Sequence, residues 1–213
     1  MSQQRKRVAE RERAVDELKA ANAIPEERIL DAAYELLLSV GMRRMTMADI
    51  ARKAGVSRAT LYRRWRNVRE VIAALMTREW ATLAMSVIDA DADTARDRLV
   101  HGVVLIVRAI RRHPLLRKII ELDPDFLLPY LLQRRGTSTD QQLGLVESGI
   151  RDGAADGSIR VGDAALQAKA VVLTAWSFAL TGPVFVDAPS GAGEQVDVLD
   201  GQLRELLERY LAP

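Results

Sequence analysis

Residues 46–65 read TMADIARKAGVSRATLYRRW, and this stretch decides the fold because it spells two short helices joined by a tight turn. Ile50 and Ala51 share the inner face of the first helix, and the small Ala51 lets a second helix cross close above it. Gly55 falls where the chain must reverse, a position that favours a positive φ and therefore glycine. Val56 plugs the corner, and Ser57 offers its hydroxyl as the N-cap of a helix expected over 58–64. Leu61 is spaced to pack back on Ile50 and Ala51. The opposite face then carries Arg58, Ala59, Thr60, Tyr62, Arg63 and Arg64, the face that enters a major groove in a helix-turn-helix. An ordinary helical corner with a solvated basic helix has the same turn, so the flanks must decide.

Upstream, Pro25 stands near a first helical turn with Glu26 and Glu27 at the positive end of the helix dipole. Ile29, Ala33, Leu36, Leu37 and Val40 follow as one apolar stripe, and Gly41 stops the helix. Downstream, Asn67 caps a further helix bearing Val71, Ile72, Leu75 and Met76. The order is a supporting helix, a short helix, a tight turn, a recognition helix and a connecting helix.

The stretch from about Arg28 to Met76 resembles the TetR family of bacterial transcriptional repressors. The core of the resemblance stands here as T-x-x-D-I-A-x-x-A-G-V-S-x-x-T-L-Y-x-x-W. It implies that Thr46 caps the first helix and holds its backbone against a phosphate, and that Tyr62 gives its hydroxyl to another. Arg63 and Arg64 are placed to contact phosphates or guanine edges. Arg58, Ala59 and Thr60 begin the recognition helix, where base edges are nearest, and Ala59 offers a methyl group to thymine. The family's phosphate-gripping lysine at the start of the connecting helix is here Val68, flanked by Arg66 and Arg69, either of which is placed to take over that contact.

Charge distribution agrees with this reading. The chain of 213 residues carries a net charge of only +2, but residues 1–80 hold 17 Lys/Arg against 11 Asp/Glu, and the remainder holds 14 against 18. A basic front half is an electrostatic footprint for DNA phosphates, and the acidic remainder argues against a second nucleic-acid surface. There is no cysteine, which fits a reducing cytoplasm. No apolar run follows Arg5, Lys6 and Arg7, so no secretory signal is expected. The nearest candidate for a membrane span, 170–186, is interrupted by Thr174, Ser177, Thr181, Gly182 and Pro183, so no membrane partner is expected.

The expected fold is all-α, with a charged N-terminal arm over 1–23, a helix-turn-helix domain over 24–70 and a larger helical domain over 71–213. The arm is either a loosely helical tail or an extension whose Arg5, Lys6 and Arg7 reach the DNA backbone or minor groove. The connecting helix is expected to reach Ile88, ahead of an acidic linker with Asp89, Asp91 and Asp93. Helices are expected from Ala95, from Leu115 to Leu122, from Thr139 to Ala155 (closed by Gly153 and Gly157), from Asp163 to about Gly182, and from Val196 to Leu211. Pro129 inside DFLLPYLLQRRG should kink or divide a helix.

Two of these helices carry more than fold. From Ala164 to Val186 the only charged residue is Lys169, and a helix apolar on most sides must be buried on most sides. The last helix repeats Val196, Leu199, Leu203, Leu206 and Tyr210 at spacings that suit a neighbouring helix, in this chain or a second copy. The resemblance implies a four-helix dimer seam here, with Val172, Trp176, Leu199, Leu203, Leu206 and Tyr210 as its residues. Two-fold symmetry also suits a helix-turn-helix, since one recognition helix covers a half-site of a palindromic operator.

Catalysis finds no constellation. His101 and His113 lack metal-ligand partners at helical spacing, and no nucleophile elbow or phosphate loop is present. Asp89, Asp91 and Asp93 fail as a calcium loop, and Gly191 and Gly193 follow no strand. No metal or cofactor is expected. The resemblance further implies an inducer cavity in the larger domain. Its candidate lining is Leu83, Val87, Val103, Val107, Leu116, Ile119, Ile120, Phe126, Leu127, Tyr130, Leu131, Trp176 and Phe178. Their lack of charge favours an apolar or acyl-chain-like molecule. A helical adaptor without specific DNA binding would explain the apolar helices but not the groove-facing arginines.

Overall fold

The computed structural model describes residues 26–86, 92–185 and 192–213, with side chains of the last segment described from Val198. Arg5, Lys6, Arg7, Pro25, Val87, Asp89, Asp91, Gly191 and the side chain of Val196 lie outside the described residues. Among the described residues every regular element is helical. The chain divides into two compact units between Leu75 and Met76, within the helix that also holds the expected boundary at 70/71.

The first unit contains α1 (Glu26–Val40), a 3₁₀ turn (Met42–Arg44), α2 (Met47–Ala54), α3 (Arg58–Tyr62) and the start of α4 (Val68–Met85). Its core is Ile29, Leu30, Ala33 and Leu37 of α1 with Ile50, Ala51, Leu61, Val71, Ile72 and Leu75, all essentially removed from solvent. Leu61 and Ile50 are fully buried, as their spacing requires. Trp65 closes the unit just after α3, also buried.

The second unit continues α4 and adds α5 (Ala95–Arg112), α6 (Pro114–Leu122), α7 (Leu128–Leu132), α8 (Thr137–Ala155), α9 (Ala164–Leu180) and α10 (Ala192–Leu211). Its core joins Val100, Val103, Val104 and Val107 of α5 to Ile150, Ile159, Ala168, Val171, Ala179, Leu203, Leu207 and Leu211. Pro129 neither kinks nor divides a long helix. It lies in the first turn of the short α7, where its missing N–H costs nothing. Gly153 does not close α8 but sits inside it, because a Cβ there would stand 2.5 Å from the Ile159 side chain.

Polar bridges between distant segments fix this second unit. Asp200 of α10, only 3% exposed, accepts from Arg108 Nε at 2.8 Å and pairs with the buried Arg111. Asp156 accepts from the Ala95 N–H at 2.9 Å and so caps α5 from the end of α8. Arg160 donates to Tyr210 O at 2.8 Å and through its N–H to Leu211 O at 2.9 Å, satisfying the last carbonyls of α10. Leu203, expected on a partner-facing seam, is instead fully buried in the protomer's own core. Spacings of three and four describe two faces of one helix, and Leu203 lies on the inner one.

Candidate nucleic-acid interface

α2 begins with a reciprocal capping box. Thr46 Oγ1 accepts from the Asp49 N–H at 3.2 Å, and the Thr46 N–H donates to Asp49 Oδ2 at 3.1 Å. The Thr46 hydroxyl also donates to Asp49 Oδ2 at 2.6 Å. This bond above all holds the Asp49 carboxyl below the ordinary carboxylate range, helped by the Thr46 N–H and by Arg52. Asp49 supplies the other half of the box, and its place three residues after a capping threonine is the signal in the sequence that marks it.

α2 ends at Gly55 with φ 66° and ψ 36°. There the Gly55 N–H donates to Arg52 O at 3.3 Å and the Val56 N–H to Ala51 O at 2.9 Å, which together close the helix and set the turn. Ser57 Oγ then accepts from the Thr60 N–H at 3.0 Å and lies 2.8 Å from Thr60 Oγ1. The recognition helix α3 is shorter than expected, with Arg63 as its C-cap. The two caps are therefore local and fix where α3 starts.

The basic residues around this turn fall into two groups. Arg52 pairs with Asp49, Lys53 Nζ with Glu35 at 2.6 Å, Arg64 with Glu26, and Arg66 Nε with Glu70 at 3.0 Å. Arg64 also lies over the Trp65 ring, 5.3 Å from its centroid. By contrast, Arg58, Arg63 and Arg69 are exposed and have no ion-pair partner among the described residues. Ala59 is exposed beside them, and Tyr62 is 52% exposed. Thr60 is half-buried with its hydroxyl engaged by Ser57. Sequence order alone did not separate these groups, because Glu26 is 38 residues from Arg64.

The residues anticipated around an inducer are distributed unevenly. Val103 and Val107 belong to the buried core, Phe178 packs against it, and Phe126 is buried with its ring 5.6 Å from that of Tyr130. Leu127 and Tyr130 are half-buried. Trp176 is tied by its ring N–H to Gln142 Oε1 at 2.7 Å. Ile120 and Leu131 face solvent instead. Ile119, one residue earlier, is the side chain α6 turns inward, and the next position rotates about 100° away. Of the anticipated dimer residues, Val172 is buried and Leu199 half-buried, whereas Leu206 and Tyr210 are exposed. On α9 and α10, Leu166, Leu173 and Val198 are exposed apolar residues beyond the anticipated seam.

Among the described residues no helix is long and apolar enough to cross a membrane. Residues 29–75 match the family described as bacterial regulatory proteins, tetR family. An uncharacterised HTH-type transcriptional regulator of Mycobacterium tuberculosis, Rv2250c, is 32% identical over 179 residues, spanning 83% of this chain and 93% of that protein. AqdR of Rhodococcus erythropolis, another HTH-type transcriptional regulator, is 48% identical over 56 residues, 26% of this chain and 27% of its own. Among solved structures, the repressor QsdR of R. erythropolis aligns with TM-score 0.63 at 15% identity over 88% of this chain and 96% of its own. FadR of Bacillus subtilis, solved with stearoyl-CoA, aligns with TM-score 0.60 at 18% identity over 88% and 100%. Motif, capped turn and near full-length kinship converge: the chain belongs to the TetR family and is a DNA-binding transcriptional regulator, not an enzyme.

Proposed function

We propose that the protein is a homodimeric repressor that occupies a palindromic operator in the cytoplasm and leaves it when a mainly apolar small molecule binds the second unit. The observation that carries this reading is the outer surface of the recognition helix and its flanks, where Arg58, Tyr62, Arg63 and Arg69 stand exposed, the three arginines without carboxylate partners among the described residues. Unpaired arginines beside a capped turn are ready for phosphates or guanine edges without first releasing a carboxylate. Thr46, Ala59 and Thr60 complete the surface, with Arg64 and Arg66 joining it once their carboxylates let go.

Two outward faces support pairing of protomers. On α9, Leu166 and Leu173 are exposed, Leu173 by 71%; on α10, Val198 and Leu206 are exposed two turns apart, with Tyr210 one turn further. Monomeric proteins seldom leave such stripes in water. Trp176 and Leu199 flank them from partly covered positions, and Val172 from a buried one. The inducer reading draws on the buried Phe126 with the Tyr130 ring beside it, and on Phe178, which packs against the core. It also draws on neighbours of this fold solved with stearoyl-CoA, triclosan and choline. Ligand and operator would oppose each other by equal factors, since each favours a different state.

The test is fluorescence anisotropy with a duplex selected from random DNA by the protein and a scrambled control. Arg63→Ala and Tyr62→Phe should weaken operator binding with the fold intact, and a lost phosphate contact should shallow the salt dependence by about one unit. Unchanged affinity for both duplexes sinks the DNA assignment. A wild-type chain that sediments as a monomer while binding the operator tightly sinks the dimer. A panel of acyl-CoAs and small hydrophobic compounds that neither raises Tm nor releases DNA sinks the inducer.

A further inference from the structure

The first turn of α1 reaches both sides of the helix-turn-helix. Arg28 Nη2 donates to Ala54 O at 3.0 Å, one of the terminal carbonyls of α2 that lacks a helical partner. The same nitrogen would lie 3.1 Å from a Cβ at position 55, so it sits directly against the left-handed turn. From one residue pair away, Glu26 holds Arg64 just beyond α3. Two helical turns after Arg28, on the same side of α1, Glu35 holds Lys53. Three tethers thus run from one helix to the three parts of the reading motif: Lys53 near the end of α2, the turn carbonyl, and Arg64 after α3.

We propose that the first turn of α1 is a specificity clamp, in which Arg28 is a positioning residue for the turn and Glu26 withholds Arg64 from unselected phosphates. A guanidinium on the terminal carbonyl of α2 opposes the negative end of its dipole and fixes the angle at which α3 leaves Gly55. Since only a correctly aimed α3 can meet base edges, this bond matters for operator more than for random DNA. Glu26 acts in the complementary sense. Random DNA must displace the carboxylate to gain Arg64, whereas the operator draws on the free Arg58 and Arg63 as well. The proposal rests on operator reading by α3.

Arg28→Ala, Arg28→Lys and Glu26→Gln, each run on the full chain well below its Tm, test it with two readouts. Anisotropy on selected and scrambled duplexes over a salt series measures specificity, and amide hydrogen exchange at Val56 measures the turn without DNA. Arg28→Ala should lose about tenfold on the selected duplex and little on the scrambled one, with an unchanged salt slope. Its Val56 amide should exchange faster, and Arg28→Lys, which keeps a charged donor, should recover most of both. Glu26→Gln should tighten scrambled binding by about threefold and steepen its salt slope by about one unit. Equal losses on both duplexes with a shallower slope would make Arg28 a phosphate contact and overturn the clamp. So would unchanged Val56 exchange in Arg28→Ala. A wild-type chain without preference for any duplex refutes operator reading, and Val56 exchange then still decides whether Arg28 fixes the turn.

Discussion

The two units use polar groups in opposite ways. In the first, the bonds that define the reading motif close within a few residues: Thr46 with Asp49, Ser57 with Thr60, Asn67 with Glu70. In the second, Asp200 reaches back to Arg108 and Arg111, Asp156 to Ala95, and Trp176 to Gln142. Short-range caps set the local turns of the reading head, to which the tethers from α1 add three bonds from another helix. Long-range bridges build a bundle in which moving one helix strains a partner distant in sequence.

The comparison breaks most sharply at Asp200. Asp200→Ala takes this carboxylate from Arg111, whose side chain is 5% exposed, and removing one partner of a buried pair costs about 3–5 kcal/mol. Urea unfolding followed by Trp80 and Trp176, both in the second unit, should report that loss, while Trp65 in the first unit reports little change. A loss below about 1 kcal/mol would mean that α10 is not anchored through this pair.

Next in size is the contrast between two leucines of α10. Leu203→Ala empties a fully buried site and should cost about 2–5 kcal/mol of protomer stability. Leu206 is 50% exposed, so Leu206→Ala should stay within about 0.5 kcal/mol. Leu206→Asp should instead abolish the dimer in sedimentation while leaving the far-UV spectrum unchanged. If Leu206→Asp leaves the dimer intact, the exposed stripe has another use. A smaller effect belongs to the reading head: Thr46→Ala should cost about 1 kcal/mol, the usual worth of an N-cap, seen as a lower Tm of the first unit.

The same contrast explains what the amino-acid order made legible. Thr46, Gly55 and Ser57 were readable because each acts on neighbours in the chain, and Asp163 opened α9 as its position suggested. The partition of the arginines was not, since it depends on Glu26 and Glu35 arriving from another helix. Nor was the orientation of α10. Leu199, Leu203, Leu206 and Tyr210 satisfy one helical spacing rule, yet core packing turns Leu203 inward and leaves Leu206 and Tyr210 outside. Ile119 and Ile120 differ in the same way: adjacent apolar residues carry no mark of which one the bundle covers. Local chemistry is written in the order of residues, whereas the sidedness of an apolar helix is decided by its neighbours.

The smallest expected effect is an acid sensitivity that tests short-range against long-range capping directly. Among the described residues two carboxyls are held below their ordinary range: Asp49 chiefly by the Thr46 hydroxyl, and Asp156 chiefly by the Ser158 hydroxyl, with the Ala95 and Ser158 N–H groups next. A carboxyl with a depressed folded pKa contributes stability that is present above its unfolded pKa and lost as pH falls through the folded one. Both contributions should therefore be whole at neutral pH and fade only under acid. Protonating Asp49 weakens a box spanning four residues and should speed exchange only at the α2 N-terminus. Protonating Asp156 releases the start of α5 from the end of α8, so protection should fall in two segments 61 residues apart. Amide exchange along an acid titration should separate them, with Asp49→Asn and Asp156→Asn removing the respective pH dependence. Equal, local loss at both sites would mean that Asp156 caps its own turn and nothing more.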